Sequence, residues 1–453
     1  MTAPLSFSAF VMNTTSHILH GAWRLPEAQQ SNFNSLDHWI SLAKTLERGK
    51  FDYIFFADVV GLYDDYRGSW RKFVETGLQI PSNDPLVLAS ALASHTEHLG
   101  IAVTSSILQE HPFDFARKIS TLDHASNGRI AWNIVTGLSN NAWRNFGYDT
   151  ITPHDERYEW AQEYVEVVYK LWEGSWDDDA LIQDKTSGIH ADFDKVHKIH
   201  HDGRRYRVEG PHLVAPSPQR TPVLFQAGSS SAGRRFAARN AEAQFIVSPT
   251  PEAARALITD TRRLVVRAGR APEDLRFFQG LSFVVGSTEE EARRKAAELD
   301  EVIDPSAIIA HAAGGLGYDL GFYELDTPIG EIETEGTRST LAWLREAVPD
   351  REPTVRDLAR LRSRYGRITG TPEQIADELH RWRDAGIDGV NVVNATIPGS
   401  YVEFIDEVLP VLRRRGLARH DYVEGTARRK ATGRDRLPDT HPAAAYRGAF
   451  SAY

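Results

Sequence analysis

The chain has no cysteine among its 453 residues and only two methionines. That excludes disulfides, thiolate metal ligands and thiol nucleophiles. No apolar run approaches the length that spans a bilayer. The opening residues, MTAPLSFSAFVMN, lack a charged segment ahead of a long apolar core, so no secretion signal is expected. Positive charge is also short: the formal net charge is −10, with no basic stripe interleaved with aromatics, which argues against nucleic acid as a partner. Neither a G-x-G-x-x-G fingerprint nor a Walker P-loop is present. These absences point to a soluble, cytoplasmic protein.

What is present is ordinary for a globular enzyme, 41% hydrophobic and 25% charged. Apolar runs alternate with helical periodicity along the whole chain. Strands are expected at 5–12, 52–59, 99–108, 129–136, 222–227, 243–248, 276–286 and 389–394, with helices between them. Eight such units and no short repeat predict an α/β fold, a TIM (β/α)8 barrel with insertions. The barrel is expected over 1–415, interrupted near 175–220 and 304–371. A polar arm, 416–453, is expected to pack along the barrel or a neighbouring subunit.

The most informative stretch is PVLFQAGSSSAGRRFAARN, 222–240. It reads as strand, glycine-serine bend and helix. Backbone N–H groups and hydroxyls at a helix N-terminus suit a phosphate. A plain helix cap explains the same residues equally well. Sites on this barrel lie at the C-terminal ends of the strands. Those ends carry Asn13 with His17, Asp58 with Tyr63, Thr104 with Ser105, Asn133 with Thr136, and the 228–230 bend. These are hydrogen-bonding groups with one acid. They form neither the carboxylate pair of a glycosidase nor a nucleophile-base-acid triad. Such a lining suits a planar heteroaromatic ligand bearing a polyol and a phosphate, a description that flavin mononucleotide meets.

Several ordered stretches carry a resemblance: HGAWR (20–24), LERGKFD (46–52), FADVVG (56–61), STLDHASNGRIAWNIVT (120–136), NFG (145–147), HDERY (154–158), EGSW (173–176), SPQRTPV (217–223) and QAGSSSAGRRFAA (226–238). Through them the chain resembles the bacterial-luciferase-like flavin monooxygenases, in the branch of the nitrilotriacetate, dibenzothiophene-sulfone and long-chain alkane enzymes, the last most of all. The resemblance implies a luciferase-like barrel working as a two-component, FMNH2- and O2-dependent monooxygenase. An NAD(P)H:FMN reductase partner would supply reduced FMN, and oxygen would add at the flavin C4a position. The substrate implied is a small neutral or apolar organic molecule of alkane, sulfide, sulfone or amine type. A homodimer or homotetramer is implied as well.

Carried over by position, Asp58 and Thr104 resemble contacts to the flavin ring, and Asn133 and Thr136 lie beneath it. His154 and Tyr158 resemble contacts to the ribityl chain and phosphate, and Ala227, Gly228, Ser229 and Ser230 the phosphate grip. The reacting pocket corresponds to His17, Tyr63, Gln79 and His311. At ordinary imidazole pKa values, His17 or His311 would govern the protonation of the oxygenating species. Two positions depart from the alkane branch: Leu138 stands where it has histidine, and Thr14 where it has cysteine.

The remaining alternatives are a deazaflavin-dependent hydride transfer on the same barrel, a non-catalytic flavin binder, and a metal-dependent hydrolase using His190, His197, His200 and His201. For those histidines a solvated loop is the simpler explanation, and no metal is expected. The glycine-rich 311–322 segment is expected as a loop, a candidate lid.

Overall fold

The computed structural model describes residues 4–63, 66–137, 139–316, 320–329, 344 and 348–451. Eight parallel strands close on themselves: β1 (Ser6–Met12), β2 (Tyr53–Ala57), β3 (Gly100–Ser106), β4 (Ile130–Val135), β5 (Val223–Gln226), β6 (Ala243–Ile246), β7 (Arg276–Val285) and β8 (Gly389–Val393). Closure is by β8 against β1, with Ser6 opposite Gly389 and Phe10 opposite Val393. A short strand at Arg367–Gly370 pairs in parallel with the C-terminal half of β7, Ser282 opposite Arg367, outside the ring of eight. Each expected strand is present, trimmed by a few residues at its ends.

Strand parity explains the core. Alternate residues point to opposite faces, so Phe10, Tyr53, Phe55, Ala102, Ala131, Val223, Phe225 and Phe278 fill the lumen. Their neighbours Val11, Ile54, Phe56, Val103, Trp132 and Leu224 pack outward under the helices. The same parity turns Thr104 and Asn133 inward. They are register partners on β3 and β4, and the Asn133 amide donates to Thr104 Oγ1 at 2.9 Å.

Helices between the strands start where the sequence supplies caps. Asp84 accepts from the Leu86 N–H ahead of Pro85–Ala93, and Thr288 accepts from the Glu291 N–H ahead of Glu289–Val302. The stretch after Gly174 forms two short hairpins, Leu181–Asp184 with Ile189–Ala191 and His201–Asp202 with Arg207–Val208. The second is the turn expected near Asp202–Gly203.

The segment expected as a loop from 311 is helical as far as it is described. His311 lies in the helix Pro305–Leu316, and 317–319 fall outside the described residues. The apolar run SAIIAHAA favours helix over the two glycines that follow it. A helix holds the His311 backbone more firmly than a loop would.

The C-terminal arm plugs the bottom of the barrel. Fully buried Arg428 donates to both Glu242 oxygens and to the carbonyls of Gln219, Thr221 and Pro222. Tyr422 donates to the Phe51 carbonyl at 2.7 Å. The arm thus seals the end of the barrel opposite the expected site.

Candidate active site

At the top of the barrel a cavity of about 940 Å3 opens over β5 to β8 and β1. Its wall is largely apolar, with Phe10, Ile18, Phe245, Val247, Ile308 and Leu361 among the lining. Ser229 faces it from one side and His311 from another. The serine bend and the histidine expected in the reacting pocket therefore share one cavity.

The bend is built as a close-packed cradle. A methyl group at Gly228 would lie 2.5 Å from the Tyr158 hydroxyl and 2.4 Å from Gln226 Nε2. At Gly233 it would lie 2.7 Å from the same hydroxyl. Glycine at both positions lets the tyrosine reach the start of the helix Ser231–Asn240. Ser230 is that helix's N-cap, its Oγ accepting from the Gly233 N–H at 3.1 Å. One residue expected to hold a phosphate, Ser230, is therefore also the helix cap. Ser229 and Ala227 are exposed and leave the bend open to a ligand. Tyr158 packs its ring on Phe236 and, edge-on, against His154 at 5.2 Å. His154 opens its helix, about half exposed, with Nδ1 2.7 Å from Asp155 Oδ1. Burial raises the Tyr158 pKa, so its phenol stays a neutral donor.

Facing the bend is a relay of polar side chains. His20 Nδ1 is 2.7 Å from Ser16 Oγ, and His20 Nε2 is 2.9 Å from His311 Nδ1. His311 Nε2 is 3.3 Å from Gln79 Nε2, which also donates to the His17 carbonyl at 3.2 Å. That carbonyl fixes the amide nitrogen as the donor. His311 Nε2 must then accept, its Nδ1–H donates to His20, and His20 donates to Ser16. Tyr63 stands 5.9 Å from the His311 ring and packs on Phe73. His17 leans on Phe10 at 4.7 Å, and its Nδ1 is covered with no hydrogen-bond partner. The four residues expected to react are thus gathered together with His20. Gln79 holds its place at φ 53, a left-handed conformation that is uncommon for a non-glycine residue.

Burial corrects one expectation. The His17 pKa is pushed down to about 3 and that of His311 to about 4, and His20 is also well below the usual range. Loss of water around the rings is the main cause in each case. The imidazoles are neutral at physiological pH, so none acts as a resident imidazolium. Asp58, past the end of β2, moves the other way, up to about 7, through burial first and then the neighbouring charge of Asp84.

Thr136 is buried just beyond β4. Asn133 Oδ1 is covered without a partner. Of the two departures, Leu138 lies outside the described residues, and the Thr14 hydroxyl is committed to the Pro81 carbonyl at 2.7 Å. Two histidines of the insertion have other partners. His197 faces Asp177 at 3.2 Å, and His201 sits 3.0 Å from Lys170 Nζ, a cation in the place of a metal. Among the described residues no three metal-ligating side chains converge, and no helix is long and apolar enough to cross a membrane.

Two residues near the site were not legible in the sequence: Arg362, which lines the cavity, and His20, buried behind His311. His20 follows His17 by three residues, a spacing that could have drawn attention to it. Arg362 lies on the helix Val355–Ser363. There it shares the i, i+3, i+7 stripe of Val355 and Leu358, a cation on an apolar face.

The model of the family described as luciferase-like monooxygenase matches residues 12–389. The chain is 44% identical to dimethyl-sulfide monooxygenase from Hyphomicrobium sulfonivorans, over 99% of this chain and 95% of that one. It is 45% identical to long-chain alkane monooxygenase from Geobacillus thermodenitrificans over the full length of both. The crystal structure of long-chain alkane monooxygenase superposes with a TM-score of 0.91, covering 99% of this chain and 100% of that one. A riboflavin lyase structure with modified FMN superposes at 0.88 with 36% identity, covering 98% and 99%. This chain belongs to the luciferase-like monooxygenase family, and it is an oxidoreductase of the oxygenase type.

Proposed function

We propose that the chain is the oxygenating component of a two-component monooxygenase. It takes reduced FMN from a separate NAD(P)H-dependent reductase and oxygenates a small organic substrate with an apolar body. One observation carries this reading: a single cavity has a hydroxyl-rich helix N-terminus on one wall and a neutral imidazole relay on another.

The residues fit FMN on their own chemistry. The open bend at Ala227–Ser230, with the Tyr158 phenol and nearby His154, offers neutral donors to a phosphate. Asn133 Oδ1 and His17 Nδ1 are covered polar atoms without protein partners, and such atoms call for a ligand or water. Asn133, with Thr104, Thr136 and Asp58, presents polar groups from the ends of β2 to β4 to the edge of a heteroaromatic ring. Bound and reduced, FMN would supply the electrons and activate molecular oxygen.

The protein's own work is to position and to shield. The apolar wall excludes water from the reacting centre. His17 is the imidazole outside the relay, its Nδ1 covered and without a protein partner, so His17 is the residue able to hold a proton at the ligand. Gln79 and His20 fix the tautomer of His311 from either side. With all three imidazoles neutral, the pocket adds no cationic charge through its histidines.

The test is turnover with the parts separated. Substrate should be consumed only with reduced FMN and O2 together, and NADH without a reductase should give nothing. Anaerobic turnover would favour hydride transfer by a deazaflavin, and tight FMN binding without any turnover would favour a flavin-binding protein.

A further inference from the structure

Among the described residues that line the cavity, one side chain carries a fixed charge. Arg362 reaches it from the helix Val355–Ser363, which the insertion between β7 and β8 lays across the barrel mouth. Four arginines around it are paired, Arg351 with Asp357, Arg356 with Asp326, and both Arg364 and Arg367 with Asp300, while Arg360 on the same helix is exposed to water. Arg362 pairs with no carboxylate among the described residues, and its Nε is covered without a hydrogen-bond partner. Its near electrostatic neighbours are Tyr365 and His311. A half-buried arginine on a cavity wall shared with Leu361, Ile308 and Val247, with no carboxylate partner among the described residues, is costly unless a ligand supplies one. The strand ends offer no arginine, which is why sequence position gave no hint of a cationic pocket.

We infer that Arg362 is the anchor for an anionic end of the substrate, a carboxylate held by the guanidinium fork while an apolar body lies along Phe245 and Val247. This deepens the proposed function, because it takes this cavity as the place of oxygenation. It also narrows the substrate class, from any apolar organic molecule to an amphipathic organic acid. The planar fork matches a carboxylate in two parallel hydrogen bonds. A neutral analogue of the same length would leave the guanidinium desolvated and unpaired.

The probes are octanoate and octanamide, titrated calorimetrically into the full chain, with and without saturating FMN. Octanoate should bind at least about 10-fold more tightly than octanamide. Arg362→Gln should erase that preference, with octanamide and FMN affinities unchanged, and Arg362→Lys should keep part of it. The thermal midpoint of Arg362→Gln should hold or rise, since a purely structural arginine would lower it. Equal binding of the two probes, no binding of octanoate, or a preference that survives Arg362→Gln would overturn the assignment. So would a loss of FMN affinity in that variant equal to its loss of octanoate, which would place the guanidinium on the cofactor. The comparison of the two probes on the native protein needs no variant and stands even if Arg362→Gln folds poorly. Failure of FMN itself to bind would sink the cofactor reading, and the FMN-free octanoate arm would still be read.

Discussion

His20 Nε2 lies 2.9 Å from His311 Nδ1, joining the loop after β1 to the helix Pro305–Leu316. Because Gln79 donates to the other nitrogen of His311, this contact sets the direction of the whole relay from Gln79 to Ser16. His20 is a positioning residue in this arrangement. His20→Ala should lower kcat/KM by about 10²-fold through misplacement of His311. FMN affinity should stay at the native value, as measured by flavin fluorescence. His20→Gln, able to bond at both ends, should recover part of the rate, a rescue that simple loss of packing would not allow.

The two serines of the bend should separate by what each holds. Ser229 faces the cavity and is exposed, so Ser229→Ala should weaken FMN binding while the thermal midpoint stays put. Ser230 caps its helix as well, so Ser230→Ala should weaken FMN and also cost about 1 kcal/mol of stability. Equilibrium denaturation alongside FMN titration distinguishes the two variants.

Acid should unfold the protein through its buried histidines. The folded-state pKa values of His17 and His311, about 3 and about 4, lie below the ordinary 6.5. The unfolded chain therefore takes up protons first as pH falls. The stability contributed by these groups is full above pH 6.5 and is lost progressively as pH drops through 4. His311→Gln should flatten that slope in thermal melts run between pH 7 and pH 4.

Asp58 should behave in the opposite sense. Its pKa is raised from 3.8 to about 7, so the cost of its burial builds up as pH rises between those two values and is complete above 7. Asp58→Asn should raise the thermal midpoint at pH 8 and leave it unchanged near pH 4. A midpoint that shifts equally at both pH values would mean that packing, not charge, governs the site.

The arm has a distinct signature. Arg428 and Glu242 form a buried pair at the bottom of the barrel. Arg428→Ala strands a carboxylate there and should cost about 3–5 kcal/mol in equilibrium denaturation. The bend at the other end is not touched, so FMN affinity per folded molecule should not change.

The barrel was legible because its determinants are local. Each strand is a short apolar run of the right length, and helices such as Pro112–Ala125 begin with proline at the first turn. The bend could be read as a helix start because glycine and serine stand at a strand-to-helix turn, and Ser230 is the N-cap found there. Distant pairings were not legible. Nothing local says that His20 meets His311 across 291 positions, or that burial will hold both imidazoles neutral. Arg362 escaped for a related reason: its helix is an insertion, and only the folded chain brings that stripe over the mouth. The glycines at 314 and 315 suggested a loop, and the apolar run ahead of them carried the helix Pro305–Leu316 through that point.

FMN and riboflavin differ only by the phosphate that the Ser229–Ser230 bend is suited to hold, so their relative affinity bears most directly on the account. The native protein should bind FMN at least about 10-fold more tightly than riboflavin. That preference should collapse in the Ser229→Ala/Ser230→Ala double variant. Equal affinity of the native protein for the two flavins would contradict the phosphate grip and the cofactor assignment built on it.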